Sequence, residues 1–401
     1  MPWTLVFILT IYLPLLGVSI YVGRKILDAV VTLRSWRRAA VRTVLICVLT
    51  FVNLLPIVFF VAFQIEGRSV VPAFAGDNVL IDLLLTYPFW IALVINIQLF
   101  VVYALADVIK FWVLRFFPGA LEWWKGREAR FVVIWFGVVV LYSGFTIYSD
   151  TWTVQIVERE VSIPKSLSSL DGFRIVQVSD VQGDGRTTNQ KLRRFVQRVN
   201  ALEPDLILFA GDVVTSGTSY IDSAVSILGE LRSRYGTVAA VGDHDIFTSK
   251  SRVLGGLLRN GVRVVEDTTL FLNVGSARLP ISVVTYTYPQ RPMRDRLERL
   301  ASDMGDPFKI FLVHQPAEDL VEFARSKGYD LFLAGHTHGG GIAFGIPGLG
   351  VLAPAHFESR YVSGFYTVGS MLVSVTNGLG FTLAPIRFHA PAQIMLIMLR
   401  A

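Results

Sequence analysis

Residues 237–245 read TVAAVGDHD, in which a short apolar run is followed by a glycine, an aspartate, a histidine and a second aspartate. A short apolar run bounded by turn residues is typical of a buried strand. Comparable apolar runs lie on both sides of this stretch. Between them, apolar residues recur with helical spacing at Asn189–Ala201 and near Tyr220–Arg232. From Gly172 onward the pattern therefore predicts an α/β sheet of alternating strands and helices.

Each predicted strand ends near a side chain that can bind a metal ion. Besides Thr237–Val241, the runs are Phe173–Val178 before Asp180, Asp205–Ala210 before Asp212, Lys309–Val313 before His314, and Asp330–Ala334 before His336 and His338. One aspartate after a strand is usually a turn or helix cap. Five such ends in one domain instead favour a site outside the carboxyl ends of the strands.

The histidines are distributed unevenly along the chain. There are six, and none precedes His244. Four of them follow predicted strands, namely His244, His314, His336 and His338. Scattered core or surface histidines would not cluster in this way. His356 and His389 fit no such position, and we assign them no role.

Residues 1–150 differ from this pattern, because they contain four apolar runs long enough to cross a bilayer core of about 30 Å. The runs are Trp3–Val22, Thr43–Phe63, Leu83–Leu105 and Phe131–Tyr148. Pro56 lies inside the second run, where we expect it to kink the helix rather than end it. We therefore predict a transmembrane helical bundle of about four helices at 1–150, followed by an α/β domain at 151–401.

Basic residues distinguish the two sides of the membrane. Six Lys or Arg follow the first run, five follow the third, and only Arg68 lies between the second and third. By the positive-inside rule, the first and third connections are cytoplasmic. The sequence thus predicts a multi-pass protein of the cell (inner) membrane whose second domain is extracytoplasmic. The stretch Phe111–Trp124 is either an interfacial segment or an ordinary loop.

Charge and cysteine content exclude several functions. Residues 1–150 carry 12 Lys/Arg against 8 Asp/Glu, whereas the remaining residues carry 25 against 23. The basic excess therefore belongs to the membrane part, and no nucleic-acid partner is expected. The single cysteine, Cys47, excludes an intrachain disulfide and a cysteine zinc site. The predicted spans have no charged residue near their centres, which disfavours a transporter.

The ordered motifs of the second domain resemble the signature of the calcineurin-like metallophosphoesterases. That signature reads D-x-H, G-D, G-N-H-D, H and G-H-x-H. Its counterparts here are Asp180-x-Gln182, Gly211-Asp212, Gly242-Asp243-His244-Asp245, His314 and Gly335-His336-Thr337-His338-Gly339-Gly340. The end of the chain, Val375–Gly380 followed by Ile386-Arg387, is similar to the membrane-anchored bacterial branch of the family.

This resemblance implies an α/β sandwich domain that hydrolyses a phosphate mono- or diester by attack of a metal-activated hydroxide. It also implies two divalent metal ions, with Mn, Fe or Zn suited to mixed imidazole and carboxylate ligands. Asp212 would bridge the ions, and His244 would stabilise the transition state or protonate the leaving group. Gly339 and Gly340 would let a phosphate approach the backbone. The other ligands would be Asp180 and His338 at the first ion, and Asp243, His314 and His336 at the second.

Two positions depart from the family pattern. Gln182 replaces a histidine, and its neutral carbonyl oxygen is a poorer ligand for such metals, so the first site is expected to be weak. Asp243 replaces an asparagine and adds a negative charge at the second site. The chain is therefore either a working enzyme or a degenerate domain that binds a phosphorylated ligand, or serves as a scaffold, without turnover.

The sequence defines the substrate less well than it defines the reaction. A lipid-linked phosphate and a nucleotide or sugar phosphate both fit, with the lipid bilayer as the other partner. The stretch 284–294, which we expect to overhang the site, contains Tyr286, Tyr288 and Arg291. We interpret it as a surface loop. Arg387 either reaches a phosphate or closes a strand pair, and we favour the strand pair.

Overall fold

The structure, a computed structural model, describes residues 11–66, 78–302, 305, 308–346, 350–381 and 384–401. It divides into two compact units, whose main boundary falls between Tyr148 and Ser149. The short segment 384–386 belongs to the first unit, and the chain then returns to the second.

The first unit is mainly helical in its described residues. Its helices are α1 (Leu13–Arg34), α2 (Arg38–Val52), α3 (Leu54–Glu66), α4 (Val79–Phe116) and α5 (Leu121–Trp152). Helix α4 contains a π-helical turn at Asp82–Thr86.

Two helices in the described residues are long and apolar enough to cross a membrane, namely α4 and the Gly126–Trp152 part of α5. Helices α2 and α3 are bent by 50° at a break, and they make a third candidate if the pair is one span. Pro56 explains this bend, because its ring clashes with the carbonyl four residues earlier and it donates no hydrogen bond there. The first predicted span, Trp3–Val22, begins in residues 1–10, which lie outside the described residues.

Polar side chains inside the helical unit contact neighbouring helices. Asn96 Nδ2 donates to Ser19 Oγ on α1 (3.2 Å), and Gln98 Nε2 donates to Ser143 Oγ on α5 (2.7 Å). Helix α4 extends beyond the predicted end at Leu105, so the first half of Phe111–Trp124 is helix rather than loop.

The second unit contains fourteen strands in its described residues, of which twelve form two six-stranded sheets. The first sheet has the order β1-β14-β2-β3-β4-β5, and the second has the order β12-β13-β9-β8-β7-β6. The strands are β1 (Val154–Ser162), β2 (Arg174–Val178), β3 (Leu206–Phe209), β4 (Thr237–Ala239), β5 (Arg263–Val264), β6 (Thr268–Val274), β7 (Ala277–Val284), β8 (Ile310–Val313), β9 (Leu331–Ala334), β10 (Phe344–Ile346), β11 (Gly350–Leu352), β12 (Gly364–Val368), β13 (Met371–Val375) and β14 (Ala392–Arg400). The helices are α6 (Asn189–Asn200), α7 (Ile221–Leu228), α8 (Asp243–Arg259), α9 (Arg294–Leu300) and α10 (Glu318–Ser326).

The sheets pack face to face and carry helices on their outer faces. Ile175 of β2 and Leu312 of β8 belong to the apolar core that both sheets share. The alternate residue Val176 packs with Phe195 of α6, and the alternate residue Phe311 packs with residues of α10. This alternation follows from the two-residue period of a strand. The second unit is therefore an α/β sandwich.

The five strands predicted before the site are confirmed to within two residues at each end. The strand pattern alone indicated an α/β sheet, and the α/β sandwich that the resemblance implied is confirmed. β2, β3 and β4 lie in the first sheet, whereas β8 and β9 lie in the second. Both faces of these strands are buried, so their sequences carry no period that distinguishes one sheet of five from two packed sheets.

Candidate metal centre

The site is built on the turns that follow β2, β3, β4, β8 and β9. Nine described residues other than glycine have a positive φ, and five of them belong to this site. They are Asp180 (φ 48°), Gln182 (48°), Asp212 (65°), His336 (71°) and His338 (50°). Such a conformation costs on the order of 1 kcal/mol or more for each residue and is concentrated at functional sites. The strained turns direct these side chains to one region.

Carboxylates hold the turns against one another. Asp245 accepts hydrogen bonds from the backbone N–H groups of Asp212 (3.0 Å), Val213 (2.8 Å) and Gly242 (2.9 Å). A Cβ at Gly242 would lie 2.1 Å from Asp212 Oδ1, so only glycine permits this approach. Between the two sheets, Asp180 Oδ2 accepts the N–H of His336 (2.9 Å).

One group of side chains could hold a cation between the sheets. Asp180, Asp212 and His314 each offer a ligand atom, and the three atoms lie within 4.8 Å of one another. His338 lies beside this group, with its Nε2 3.5 Å from Asp180 Oδ1. His314 Nδ1 lies 2.7 Å from the carbonyl oxygen of Ala210 and must donate to it, which leaves Nε2 as the ligand atom.

A second group shares His314 with the first. It consists of Asp243, His314 and His336, again with ligand atoms within 4.8 Å of one another. His336 Nδ1 lies 3.0 Å from Asp243 Oδ2 and 3.2 Å from His314 Nε2. The structure thus brings all seven predicted ligands to one region, with His314 between the two groups.

Two buried oxygens of the predicted ligands lack a hydrogen-bond partner among the described residues, as expected where a cation fits. They are Asp180 Oδ1 and Gln182 Oε1. Buried oxygens are normally paired, because an unpaired one loses its hydration without compensation. A divalent cation would supply the missing partner, and the mixed imidazole and carboxylate donors suit Mn, Fe or Zn.

Gln182 adopts a rotamer that does not present its oxygen to the neighbouring ligands. Its Nε2 donates to Asp212 Oδ2 (3.0 Å) and lies 3.4 Å from His338 Nε2. Rotation of the amide by half a turn would exchange nitrogen and oxygen. Coordination by Gln182 therefore requires that this hydrogen bond to Asp212 be given up.

Burial and neighbouring charges separate the pKa values of these groups. Burial raises the pKa of Asp212, although His314 and His244 act against it. Burial lowers the pKa of His338 to about 3, so this imidazole is neutral and ready to bind a cation. His336 is only partly buried, and hydrogen bonds to Asp243 and Glu358 raise its pKa to about 10 against the opposing effect of desolvation. A cation at the second group must therefore displace a proton.

His244 lies at the start of α8 beside the carboxylate of Asp212. Its backbone N–H donates to Asp212 Oδ1 (2.9 Å), and its Nδ1 contacts the carbonyl oxygen of Thr215. A carbonyl only accepts, so Nδ1 carries a proton and Nε2 is the atom left for chemistry.

The sequence comparisons agree with this geometry. Residues 173–340 match the family model for calcineurin-like phosphoesterases. This part of the chain is a calcineurin-like phosphoesterase domain. Members of the family are metal-dependent hydrolases, and the family uses two metal ions.

Several relatives share the phosphoesterase domain. The chain is 29% identical over 263 residues to "Uncharacterized metallophosphoesterase YkuE" of Bacillus subtilis, covering 64% of this chain and 90% of that protein. It is 28% identical over 258 residues to "Transmembrane protein with metallophosphoesterase domain" of Bos taurus, covering 60% of this chain but only 56% of the bovine protein. A solved 5'-nucleotidase precursor from Thermus thermophilus is similar at 16% identity and a TM-score of 0.36, covering 56% of this chain and 54% of that one. Together with α4 and α5, the transmembrane relatives indicate membrane association.

The glycines after the last histidine motif of the phosphoesterase domain have a packing reason. A Cβ at Gly339 would lie 2.6 Å from the Asn377 side chain, and a Cβ at Gly340 would lie 2.3 Å from that of Ala353. Both residues also have positive φ. Their role in the approach of a phosphate stays a prediction.

Two residues that the sequence did not single out as functional support the second group. Glu358 Oε2 lies 3.1 Å from His336 Nε2, on the side of the ring opposite the other ligands. Tyr288 donates its backbone N–H to Asp243 Oδ1 (3.0 Å), and its ring lies edge-on to His336 at 5.3 Å. Tyr288 was predicted to lie over the site, but only as a surface loop. Nothing in the sequence marks Glu358, which follows no strand or motif.

Arg387 is fully buried and closes no strand pair, so that prediction was wrong. Its guanidinium donates to backbone carbonyls, among them those of Ala390 (2.7 Å), Asn377 (2.9 Å) and Gly380 (2.5 Å). The loop that it holds wraps the first ligand turn, because the N–H groups of Leu379 and Gly380 donate to the carbonyl of Asp180. Arg387 thus fixes the backbone around the first group.

Proposed function

We propose that this chain is a membrane-anchored, metal-dependent phosphoesterase that hydrolyses a phosphate mono- or diester. The observation that carries the proposal is that two groups of imidazole and carboxylate ligand atoms converge, and that Asp180 Oδ1 in the first group is buried without a hydrogen-bond partner among the described residues. A site built only for stability would satisfy such atoms with protein hydrogen bonds.

Two bound divalent cations would polarise the phosphoryl oxygens and provide a nucleophile at neutral pH. Asp180, Gln182, Asp212 and His338 would hold one, and Asp212, Asp243, His314 and His336 the other. His244 contributes the remaining step, since its Nδ1–H is held by Thr215 and its Nε2 is oriented by the same contact. In the protonated state, Nε2 can donate a proton to the departing oxygen.

One observation favours a second candidate function. The Gln182 amide donates to Asp212, where the family pattern places an imidazole ligand. If this hydrogen bond persists when metal is supplied, only the second group fills, and the domain binds a phosphorylated ligand or a partner protein without turnover.

The same proposal extends to the location of the protein. The distribution of basic residues supports a multi-pass protein of the cell inner membrane, with the phosphoesterase domain outside the cytoplasm. Its partners would be the lipid bilayer and a phosphorylated compound, and the low net charge of residues 151–401 favours no nucleic acid.

Hydrolysis of bis(p-nitrophenyl) phosphate by the full-length purified chain tests the proposal, with and without added Mn²⁺. The test variant is Asp212→Asn, which removes the bridging carboxylate. The control is Asp222→Asn, because Asp222 is an exposed carboxylate that pairs with Arg252 on the surface.

We expect Mn²⁺-dependent turnover that Asp212→Asn lowers by at least about a hundredfold and Asp222→Asn leaves unchanged. Equal rates for the wild type and Asp212→Asn, with both proteins folded and metal supplied, would reject catalysis in favour of the binding function.

A further inference from the structure

Exposed apolar side chains of the phosphoesterase domain are concentrated around the candidate metal centre. Among the described residues from 153 onward, nine large hydrophobic side chains are exposed. Six of them lie on three segments that border the site: Phe247, Tyr288, Met293, Val351, Leu352 and Phe357. We call these six residues the apolar rim. The other three, Ile156, Leu258 and Phe271, lie elsewhere on strands and helices.

Contacts with site residues place the apolar rim next to the ligands. The Phe247 ring lies edge-on to His244 with centroids 6.4 Å apart, and the Tyr288 ring lies 5.3 Å from that of His336. Phe357 directly precedes Glu358, whose carboxylate contacts His336. The rim therefore borders the second group and the proton donor.

The segment 350–357 also packs against a site motif, through Ala353. Ala353 packs against Gly340 of the last histidine motif, where a Cβ would lie 2.3 Å away. Val351 and Leu352 immediately precede this contact and are 52% and 56% exposed. Phe357, at the other end of the segment, is 93% exposed.

Single exposed apolar side chains are common, but the described part of the domain concentrates six of its nine around one site. Contiguous apolar surface on a soluble face usually marks a binding site. Three members of the rim have non-aromatic apolar side chains and two are phenylalanines, so the rim offers apolar contact rather than polar recognition. A hydrocarbon chain matches this chemistry better than a sugar does, because a sugar requires hydrogen-bond partners.

We propose that the site takes phosphate esters that carry a long hydrocarbon chain, with the phosphate at the metal ligands and the chain on the apolar rim. This inference rests on the proposed function, since it names the substrate class of the same site. It assigns the rim residues to substrate specificity rather than to chemistry.

Binding of alkylphosphonates tests the inference without requiring turnover. Methyl-, butyl- and octylphosphonate would be titrated by calorimetry into the full-length, Mn²⁺-loaded chain in lipid nanodiscs, with empty nanodiscs subtracted. The variants are Leu352→Ser on the rim and Leu258→Ser as the matched control, because Leu258 is equally exposed (55%) at the far end of α8.

Each fully buried methylene strengthens binding about fourfold, and an open rim covers only part of the chain. We therefore expect octylphosphonate to bind about tenfold more tightly than butylphosphonate. Leu352→Ser should reduce this ratio about threefold, whereas Leu258→Ser should preserve it.

Equal affinities for the butyl and octyl compounds would overturn the inference, as would equal effects of the two leucine substitutions. A nucleoside phosphonate that binds more tightly than octylphosphonate would overturn it as well, because the aromatic rim residues would then stack on a base. Failure of the proposed function is a separate result, since it appears as absent hydrolysis and leaves the binding ratios measurable.

Discussion

Replacement of Arg387 by methionine should destabilise the phosphoesterase domain strongly, although it removes a buried charge. Arg387 is 1% exposed, and three of its carbonyl partners lie within 2.9 Å of the guanidinium. Methionine fills most of the volume but leaves these carbonyls without their donor. Each buried unsatisfied group costs about 1–3 kcal/mol, so three of them cost about 3–9 kcal/mol.

Relief of the buried charge opposes this loss. Burial lowers the pKa of Arg387 to about 10, which shows that its charge is held at a cost. Because removal of one partner of a buried ionic contact is usually destabilising by several kcal/mol, we expect a net loss of about 3–5 kcal/mol. For a domain of this size, the Tm should fall by roughly 10 °C.

Thermal unfolding of the full-length chain, followed by intrinsic fluorescence, measures this change. Arg252→Met is the matched control, because Arg252 is an exposed residue paired with Asp222 and should contribute less than about 1 kcal/mol. Arg387→Lys should lie between the wild type and Arg387→Met, since an ammonium group restores some donors but not the planar fork. A Tm for Arg387→Met as high as that of Arg252→Met would refute the reasoning.

Two further predictions concern the site, and a third concerns Lys191 of α6. Glu358→Gln removes the carboxylate behind His336 and should weaken Mn²⁺ binding about tenfold in a metal titration. The exposed control Glu322→Gln should bind Mn²⁺ as the wild type does, and equal Mn²⁺ affinities of the two variants would count against the role of Glu358. Gln182→His supplies the missing imidazole and should raise the Mn²⁺ affinity of the weaker site about tenfold. An unchanged or lower affinity would show that position 182 does not supply a ligand. Burial lowers the pKa of Lys191 to about 7 in the folded chain. Between about pH 7 and 10 the unfolded chain therefore binds more protons than the folded chain, so the free energy of unfolding rises with pH in this range. Lys191→Met should therefore be more stable than the wild type at pH 7, with a difference in Tm that shrinks by pH 9; a constant difference would contradict the shifted pKa.

The sequence predicted the strands and the side chains that gather at their ends because both depend on local patterns. Short apolar runs ending at Asp180, Asp212 or His314 identify a strand and its last polar residue at once. The strand pattern alone could not assign the strands to two sheets, because strands buried on both faces have no polar side to orient them. The prediction of a sandwich came from the family resemblance.

Other parts of the site depend on contacts between distant segments. Glu358 reaches His336 from a loop whose position is set by the packing of Ala353 on Gly340. Arg387 binds backbone carbonyls rather than side chains, so no partner residue in the sequence indicates its role. The apolar rim likewise becomes visible only when segments that are distant in the sequence are brought together.

The most direct test of the dimetal phosphoesterase is a titration of the chelator-treated, full-length chain with Mn²⁺ while hydrolysis of bis(p-nitrophenyl) phosphate is followed. If the ligands act as proposed, turnover is absent from the metal-free chain and reaches its plateau only after two equivalents of Mn²⁺ have bound. Asp212→Asn should show no rise over the same range. Turnover that is independent of Mn²⁺, or two bound equivalents that produce no turnover, would contradict a working two-metal enzyme.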